Sequence, residues 1–248
     1  MIRILQGDCR ELLPLEPAAS FDACIADPPY GDTSLEWDSV CDGWIPAVAR
    51  VLKPAASIWV FGSMRFLAPM FAEMAVQGFK YSQDIVWEKQ NGTGFHADRF
   101  RRVHEHAALF YRGAWSEVYH CTQYTDDATA RTVRRKERPA HVTGARGPSN
   151  YASQDGGPRM QRSVIKVANE HGTAVHPTQK PLGIIAPLVS YSVPPGGSYI
   201  VPFAGSGSEV LFGQIAGLSA TGTEVDAGYV DIARRRIAAD APLFAEVA

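Results

Sequence analysis

The strongest constraint on this chain is a repeated pairing of a short apolar run with a helix-like pattern, present at both ends of the sequence and absent from its middle. Residues 2–5 read as a first strand; Asp8 then stands where a helix N-cap belongs, with Glu11 three residues on and a stop at Pro14. Residues 21–26 read as a second strand, followed by a helix over 44–52, a strand at 57–61, a helix over about 66–76 and β-rich runs at 81–87 and 106–111. The alternation resumes with a helix from Pro181, a strand at 198–201, a glycine turn, a helix beginning near Ser208, a strand ending near Glu224 and a helix over 227–239. Strands that alternate with helices are joined by crossovers, so the pattern predicts an α/β domain built on a mostly parallel sheet.

From about 112 to 172 the periodicity fails, and stretches such as Thr143-Gly-Ala-Arg-Gly-Pro-Ser-Asn150 are made of turn residues and arginine. The expectation is a single domain, 1–248, carrying a surface insertion at about 112–172. The chain carries a net charge of −2, so bulk charge does not hold it on nucleic acid, yet the distribution is uneven. Between residues 95 and 166 there are thirteen Lys and Arg against seven Asp and Glu. On the residues alone, a solvated Arg-rich loop and a phosphate-contacting surface both remain open.

The opening Met1-Ile-Arg-Ile-Leu-Gln-Gly-Asp8 has no apolar signal core, and no stretch approaches the ~18 apolar residues of a membrane span. A soluble, cytoplasmic protein without a membrane partner is expected. The four cysteines are scattered, with no Cys-x-x-Cys, so neither a metal site nor a redox pair is expected.

Two motifs carry chemistry. Asp27-Pro28-Pro29-Tyr30 follows directly on the second strand, in the loop at a strand's carboxyl end where open α/β sheets place ligands. Paired prolines forbid helix and restrict the residue before each, fixing the Asp27 side chain, the Pro28 carbonyl and the Tyr30 ring relative to one another. An adenine or cytosine amino group is a poor nucleophile because its lone pair is delocalised into the ring. Two acceptors, the Asp27 carboxylate and the Pro28 carbonyl, can hold its N–H bonds and aim the lone pair at a sulfonium methyl, while Tyr30 stacks on a base rotated out of the duplex. An ordinary Pro-Pro turn is the plain alternative.

The second motif, Phe203-Ala-Gly-Ser-Gly-Ser208, lies between a strand and a helix, where glycines allow close approach of a ligand to the backbone. Glu224 follows at the spacing of an acid that binds ribose hydroxyls, and the longer Gly-x-Gly-x-x-Gly form is absent. A mononucleoside-like ligand such as S-adenosylmethionine (SAM) fits this better than a dinucleotide.

Taken in order, Asp27-Pro28-Pro29-Tyr30, His176-Pro-Thr-Gln-Lys-Pro181 and Pro202-Phe-Ala-Gly-Ser-Gly207 resemble the β-class SAM-dependent DNA amino-methyltransferases, in that family's permuted motif order. The resemblance implies a Rossmann-like methyltransferase sheet with helices on both faces, and a target-recognition region in the aperiodic segment. It implies catalysis by Asp27, Pro28, Pro29 and Tyr30, and duplex DNA as the partner. For SAM it implies contacts from Phe203, Gly205, Ser206, Gly207 and Ser208 at the methionine end, Glu224 at the ribose, and Gly7-Asp8 at the adenine. Asp27, Thr178 and Lys180 would close that site, with Trp87-Glu88-Lys89 and His104-Glu105 on strands supporting the base pocket. Phosphate contacts are expected from Arg131, Arg134, Arg135, Lys136 and Arg138. The resemblance also implies a homodimer matched to a palindromic site. His176 could be read as a catalytic base, but a loop histidine between apolar Val175 and Pro177 is more often a hydrogen-bonded structural residue.

One departure stands out: the family usually has aspartate before the Pro-Phe, and this chain has Val201. Adenine N6 is the expected target, because Asp27 stands where cytosine-N4 enzymes more often carry serine. The alternatives are cytosine N4, an RNA or protein-glutamine target, and a DNA-binding module that has lost catalysis through Val201.

Overall fold

The apolar runs of the sequence become strands in a computed structural model, which describes residues 1–33, 35–36, 38–93, 97–136, 147–170 and 174–240. In chain order the elements are β1 (Ile2–Gln6), α1 (Cys9–Leu12), β2 (Phe21–Ala26), α2 (Trp44–Val51), β3 (Leu52–Gly62), α3 (Met64–Val76), β4 (Lys80–Thr93) and β5 (Arg102–Tyr111). Then come the short strands β6 (Tyr124–Thr125), β7 (Arg131–Arg135), β8 (Ser149–Ser153), β9 (Arg159–Met160) and β10 (Val164–Lys166). The chain continues through α4 (Leu182–Ser192), β11 (Ser198–Val201), α5 (Ser208–Ile215), β12 (Ser219–Glu224) and α6 (Ala227–Ala239).

Eight strands form one sheet in the order β1-β12-β11-β2-β3-β5-β4-β10, and only β5 runs antiparallel to its neighbours. At its centre β11 pairs with β2, Tyr199 opposite Ala23 and Ile200 opposite Cys24. From this pair the chain departs in opposite directions, β2 crossing to β3 and β11 to β12. Their carboxyl ends therefore border the switch-point crevice that open α/β sheets use for ligands.

Helices cover both faces, and strand alternation divides the core accordingly. Ala23, Ile25, Trp59, Phe61 and Tyr199 pack with Ile184, Leu188, Val210, Val230 and Ala233 of α4, α5 and α6. Cys24, Ala26, Ile58, Val60 and Ile200 point the other way, onto Trp44, Ile45, Val48, Leu67 and Met70 of α2 and α3. Trp59 satisfies its one polar atom inside the core, donating Nε1–H to Ser192 Oγ at 2.7 Å.

Several elements differ from expectation. Asp8 does cap α1, but its carboxylate accepts from the Arg10 amide at 2.8 Å, and a 3-10 turn at Leu13–Leu15 carries the chain through Pro14. The aperiodic segment is not uniform. A compact unit covers Thr122–Arg162, while Met1–Cys121 with Ser163–Ala248 forms the other. Arg112, at the expected start of the insertion, belongs to the larger unit, its guanidinium donating to the carbonyls of Ala49, Leu52 and Lys53 at 2.7–2.9 Å. β10 also belongs there, an unexpected strand parallel to β4. The smaller unit is two antiparallel pairs, β6 with β9 and β7 with β8. Among the described residues no helix is long and apolar enough to cross a membrane. Cys9 and Cys24 are buried, Cys41 is half-buried and Cys121 is exposed.

Candidate active site

The loops leaving β2 and β11 open onto a cavity of about 690 Å³ within the larger unit. Its wall includes Asp8, Asp27, Pro28, Pro29, Tyr30, Thr178, Lys180, Phe203, Gly205, Ser206, Ser208 and Glu224. Residues separated by nearly the whole chain are thus brought to one crevice. Of the expected catalytic and SAM-contacting residues, Gly7 and Gly207 do not line it, and neither do Trp87, Glu88, Lys89, His104 and Glu105, expected to support the base pocket. The two glycines have positive φ, +141° and +79°, and shape the turns behind the wall.

Asp27 is held from one side only. Its Oδ2 accepts a hydrogen bond from Lys180 Nζ at 2.6 Å, while its buried Oδ1 has no hydrogen-bond partner among the described residues. Lys180 is 3% exposed and also lies 3.5 Å from Glu105 Oε2, with its ammonium 5.3 Å from the centroid of the Phe61 ring. Glu105 in turn pairs with Lys89, which sits 4.6 Å over the Trp87 ring. Burial pushes the Asp27 carboxyl up, and Lys180 works against it. For Glu105 burial also acts upward, but Lys180 and Lys89 together outweigh it and hold the group at about 2. Burial disfavours the Lys180 ammonium, yet the two carboxylates keep its pKa well above the ordinary lysine value.

The Pro-Pro-Tyr loop is fastened by Asp38, which sequence reasoning missed. Its Oδ1 accepts from the amides of Tyr30 and Gly31 at 3.0 and 2.9 Å, and its Oδ2 from the amide and hydroxyl of Thr33 at 2.8 and 2.6 Å. An aspartate followed only by loop residues gave no periodic signal. The Tyr30 ring packs against Phe66, centroids 5.6 Å apart.

The glycine turn is braced by charged side chains. Glu224 accepts from the Gly205 amide at 2.8 Å through Oε2 and from the Asp226 amide at 2.9 Å through Oε1. Arg236 of α6 donates to the Ser206 carbonyl at 2.6 Å and to the hydroxyls of Ser206 and Ser208 at 2.9 and 3.2 Å. At Gly207 a Cβ would fall 2.8 Å from the Ala233 Cβ, so the turn depends on glycine for both conformation and space. Asp8 is engaged with Arg10, its Oδ1 accepting from Nε at 2.9 Å. His176 is 9% exposed and its ring lies 4.2 Å from that of Tyr229; burial, helped by Lys180, lowers its pKa to about 4. Its Nδ1 accepts from the Thr178 amide at 3.2 Å, which fits a neutral, hydrogen-bonded loop histidine.

The predicted phosphate contacts lie in the smaller unit. Arg131, Arg134 and Lys136 are exposed on or beside β7, and alternation places Arg131 and Arg134 on opposite faces of that strand. Arg135 contributes its backbone to the β7–β8 ladder, and Arg138 lies outside the described residues.

A parallel sheet with a glycine turn and an acid on one side of its switch point, and a rigid Asp-Pro-Pro-Tyr turn on the other, defines an α/β methyltransferase. Residues 21–235 match the family model of the N6/N4 DNA methylases, and the chain belongs to that family, whose methyl donor is SAM. It is similar to the type II methyltransferase M.HinfI of Haemophilus influenzae, 25% identical over 261 residues spanning 94% of this chain and 67% of that protein. Among solved structures, the fold is shared with the M1.HpyAVI–SAM complex (TM-score 0.68, 21% identity, 95% of this chain and 100% of that one). It is shared too with the cytosine-N4-specific PvuII DNA methyltransferase (TM-score 0.65, 15% identity, 98% and 87%).

Proposed function

We propose that this protein methylates the N6 amino group of adenine in duplex DNA, by direct transfer to a base turned out of the helix. The observation that carries the reading is the Asp27 carboxylate: one oxygen is fixed by buried Lys180, and the other is buried without a partner among the described residues. A buried unsatisfied acceptor costs the fold about 1–3 kcal/mol, a cost that an N–H of the substrate relieves. Asp27 Oδ1 and the Pro28 carbonyl then hold the two N–H bonds of the amino group, and Tyr30 stacks on the base.

The cavity fits SAM. Its volume lies in the range of small-molecule sites, and the left-handed Gly205, with φ of +49°, keeps that part of its wall free of a side chain. When bound, SAM supplies an electrophilic methyl group on a positively charged sulfur. Phe203, Gly205, Ser206 and Ser208 would hold its methionine end, Glu224 its ribose, Asp8 its adenine, and Thr178 and Lys180 the closing side. Gly7 and Gly207 act through the turns they permit. The smaller unit, with flanking parts of the segment 112–172, is the target-recognition insertion, its exposed Arg131, Arg134 and Lys136 meeting phosphates.

The test is Asp27→Ala. Methyl transfer to duplex DNA is expected to vanish while S-adenosylhomocysteine (SAH) still binds, and undiminished transfer ends the proposed mechanism. Nucleoside digests of DNA from cells expressing the wild-type protein distinguish N6-methyladenine from N4-methylcytosine.

A further inference from the structure

One buried carboxylate on the cavity wall has no part in this chemistry. Glu209 is the second residue of α5, immediately after the glycine turn, and is 5% exposed. Asp27 at the end of β2, Lys180 from the loop before α4 and Arg236 of α6 all act on it electrostatically, and it acts in turn on the Tyr199 phenol of β11.

The other acids of the cavity wall are already committed. Asp8 is paired with Arg10, and Asp27 holds Lys180 through Oδ2 while its Oδ1 is kept, in the reading above, for the amino group of the base. Asp38 fastens the Pro-Pro-Tyr loop, Glu224 braces two amides, and Asp226 accepts from the Tyr229 amide as the N-cap of α6. Asp42 is exposed. The nearby cations are likewise engaged, Lys180 with Asp27 and Glu105, and Arg236 with the oxygens of Ser206 and Ser208. On β11 the position expected to carry aspartate is Val201, 0% exposed within the apolar cluster of α4, α5 and α6.

We propose that Glu209 is the anionic contact for the α-ammonium of SAM, reaching it from the first turn of α5. The proposal rests on the methyltransferase reading above. The division of labour follows from charge. Backbone N–H groups and the positive end of α5 suit the carboxylate of an amino acid, whereas its ammonium requires an acceptor of opposite sign. Glu209 is the buried acid of this wall left for that task.

A consequence is proton linkage. Burial, then Asp27, push the Glu209 carboxyl up to about 7, with its own backbone amide, Lys180 and Arg236 pulling it back. A bound ammonium favours the ionised form, so binding releases a proton wherever the free protein holds one. His176, at about 4, is neutral throughout that range.

Calorimetry of SAH, which keeps the ammonium and undergoes no transfer, tests this in two buffers of different ionisation enthalpy at pH 6.5. Wild-type protein is expected to release about three-quarters of a proton per SAH bound, given a group that titrates near 7 in the free protein. Glu209→Gln should release almost none and bind SAH about tenfold more weakly, while binding 5′-methylthioadenosine, which has no amino-acid end, as tightly as wild type. Equal SAH affinity in the variant, the same proton release, or loss of methylthioadenosine binding each overturns the assignment. Wild-type protein that binds no SAH at all takes down the methyltransferase reading itself, and so separates the two failures.

Discussion

Replacing Lys180 by methionine removes the cation that two buried carboxylates share. Its Nζ lies 2.6 Å from Asp27 Oδ2 and 3.5 Å from Glu105 Oε2, on a side chain only 3% exposed. Methionine fills the volume of the stem but leaves the two acids facing one another, with Lys89 still on Glu105. Taking one partner from a buried ion pair costs about 3–5 kcal/mol. For a chain of this size each kcal/mol moves the melting temperature by about 2–4 °C, so Lys180→Met should melt roughly 6–20 °C below wild type near neutral pH. The pH dependence gives an independent check. In the wild-type protein Glu105 is depressed to about 2, so its stabilisation is complete above the ordinary carboxylate range and is lost as pH falls toward that value. In the variant the Asp27 carboxyl, already raised by burial in the wild-type protein, rises further, and Glu105 loses one of the two cations that depress it. The unfolded chain then ionises first as pH rises, and the deficit grows from about pH 4 upward until the folded groups ionise too. Urea denaturation followed by circular dichroism at pH 5 and pH 8 should therefore show the larger deficit at pH 8. A loss below 1 kcal/mol at pH 8, or an equal deficit at both values, refutes the idea that Lys180 holds two buried charges together.

Gly207→Ala meets the Ala233 Cβ at 2.8 Å on a backbone with φ of +79°. About 1–2 kcal/mol for the left-handed residue and about 1–3 for overpacking should appear in denaturation, with weaker SAH binding; adding Ala233→Gly should return only the packing part. Tyr30→Ala should weaken binding of duplex DNA carrying an extruded base analogue by about 1–3 kcal/mol, read by fluorescence of 2-aminopurine at the target position, and an unchanged signal would exclude stacking. Alanine at Arg131, Arg134 or Lys136 should lower the slope of log affinity against log salt by about 0.9 for each phosphate no longer neutralised, and an unaltered slope removes that residue from the interface.

Much of the fold was legible because its signals are local. β2, β11 and α6 fall where their apolar periods begin and end, since a turn or a capping residue adjoins each of them: Asp27-Pro-Pro, the glycine turn and Asp226. β10 was not legible, because three residues carry no period and it exists through its pairing with β4, Val164 opposite Val86. β3 begins five residues earlier than its apolar core at 57–61, taking in Leu52, which the sequence pattern assigns to the end of the preceding helix. The catalytic loop and glycine turn were readable as motifs, but the forces that set their charges were not. Asp27 and Lys180 are 153 residues apart, and Glu105 meets Lys180 from β5, again far away in the sequence. Glu209 reads in the sequence as an ordinary acid in a helix's first turn, where the helix dipole favours it at the surface. Only its burial on the cavity wall gives it another meaning.

The permuted order of the motifs has little effect on the site, for a topological reason. The chemistry needs two carboxyl-terminal strand loops side by side, one carrying the stiff Asp-Pro-Pro-Tyr turn and the other the glycine turn. The pairing of Tyr199 with Ala23 provides this whichever strand comes first in the chain. Lys180 is the element most sensitive to that order, because it arrives on a separate loop ahead of α4. Its position between Asp27 and Glu105 is held by two opposite charges in a site too dry to screen them. One Asp27 oxygen is thereby committed to the lysine and the other is left for the ligand. A carboxylate free on both sides would rotate and accept from water or cofactor. Fixed by Lys180, Asp27 offers a single acceptor in a single direction, which is what aiming the lone pair of an amino group requires.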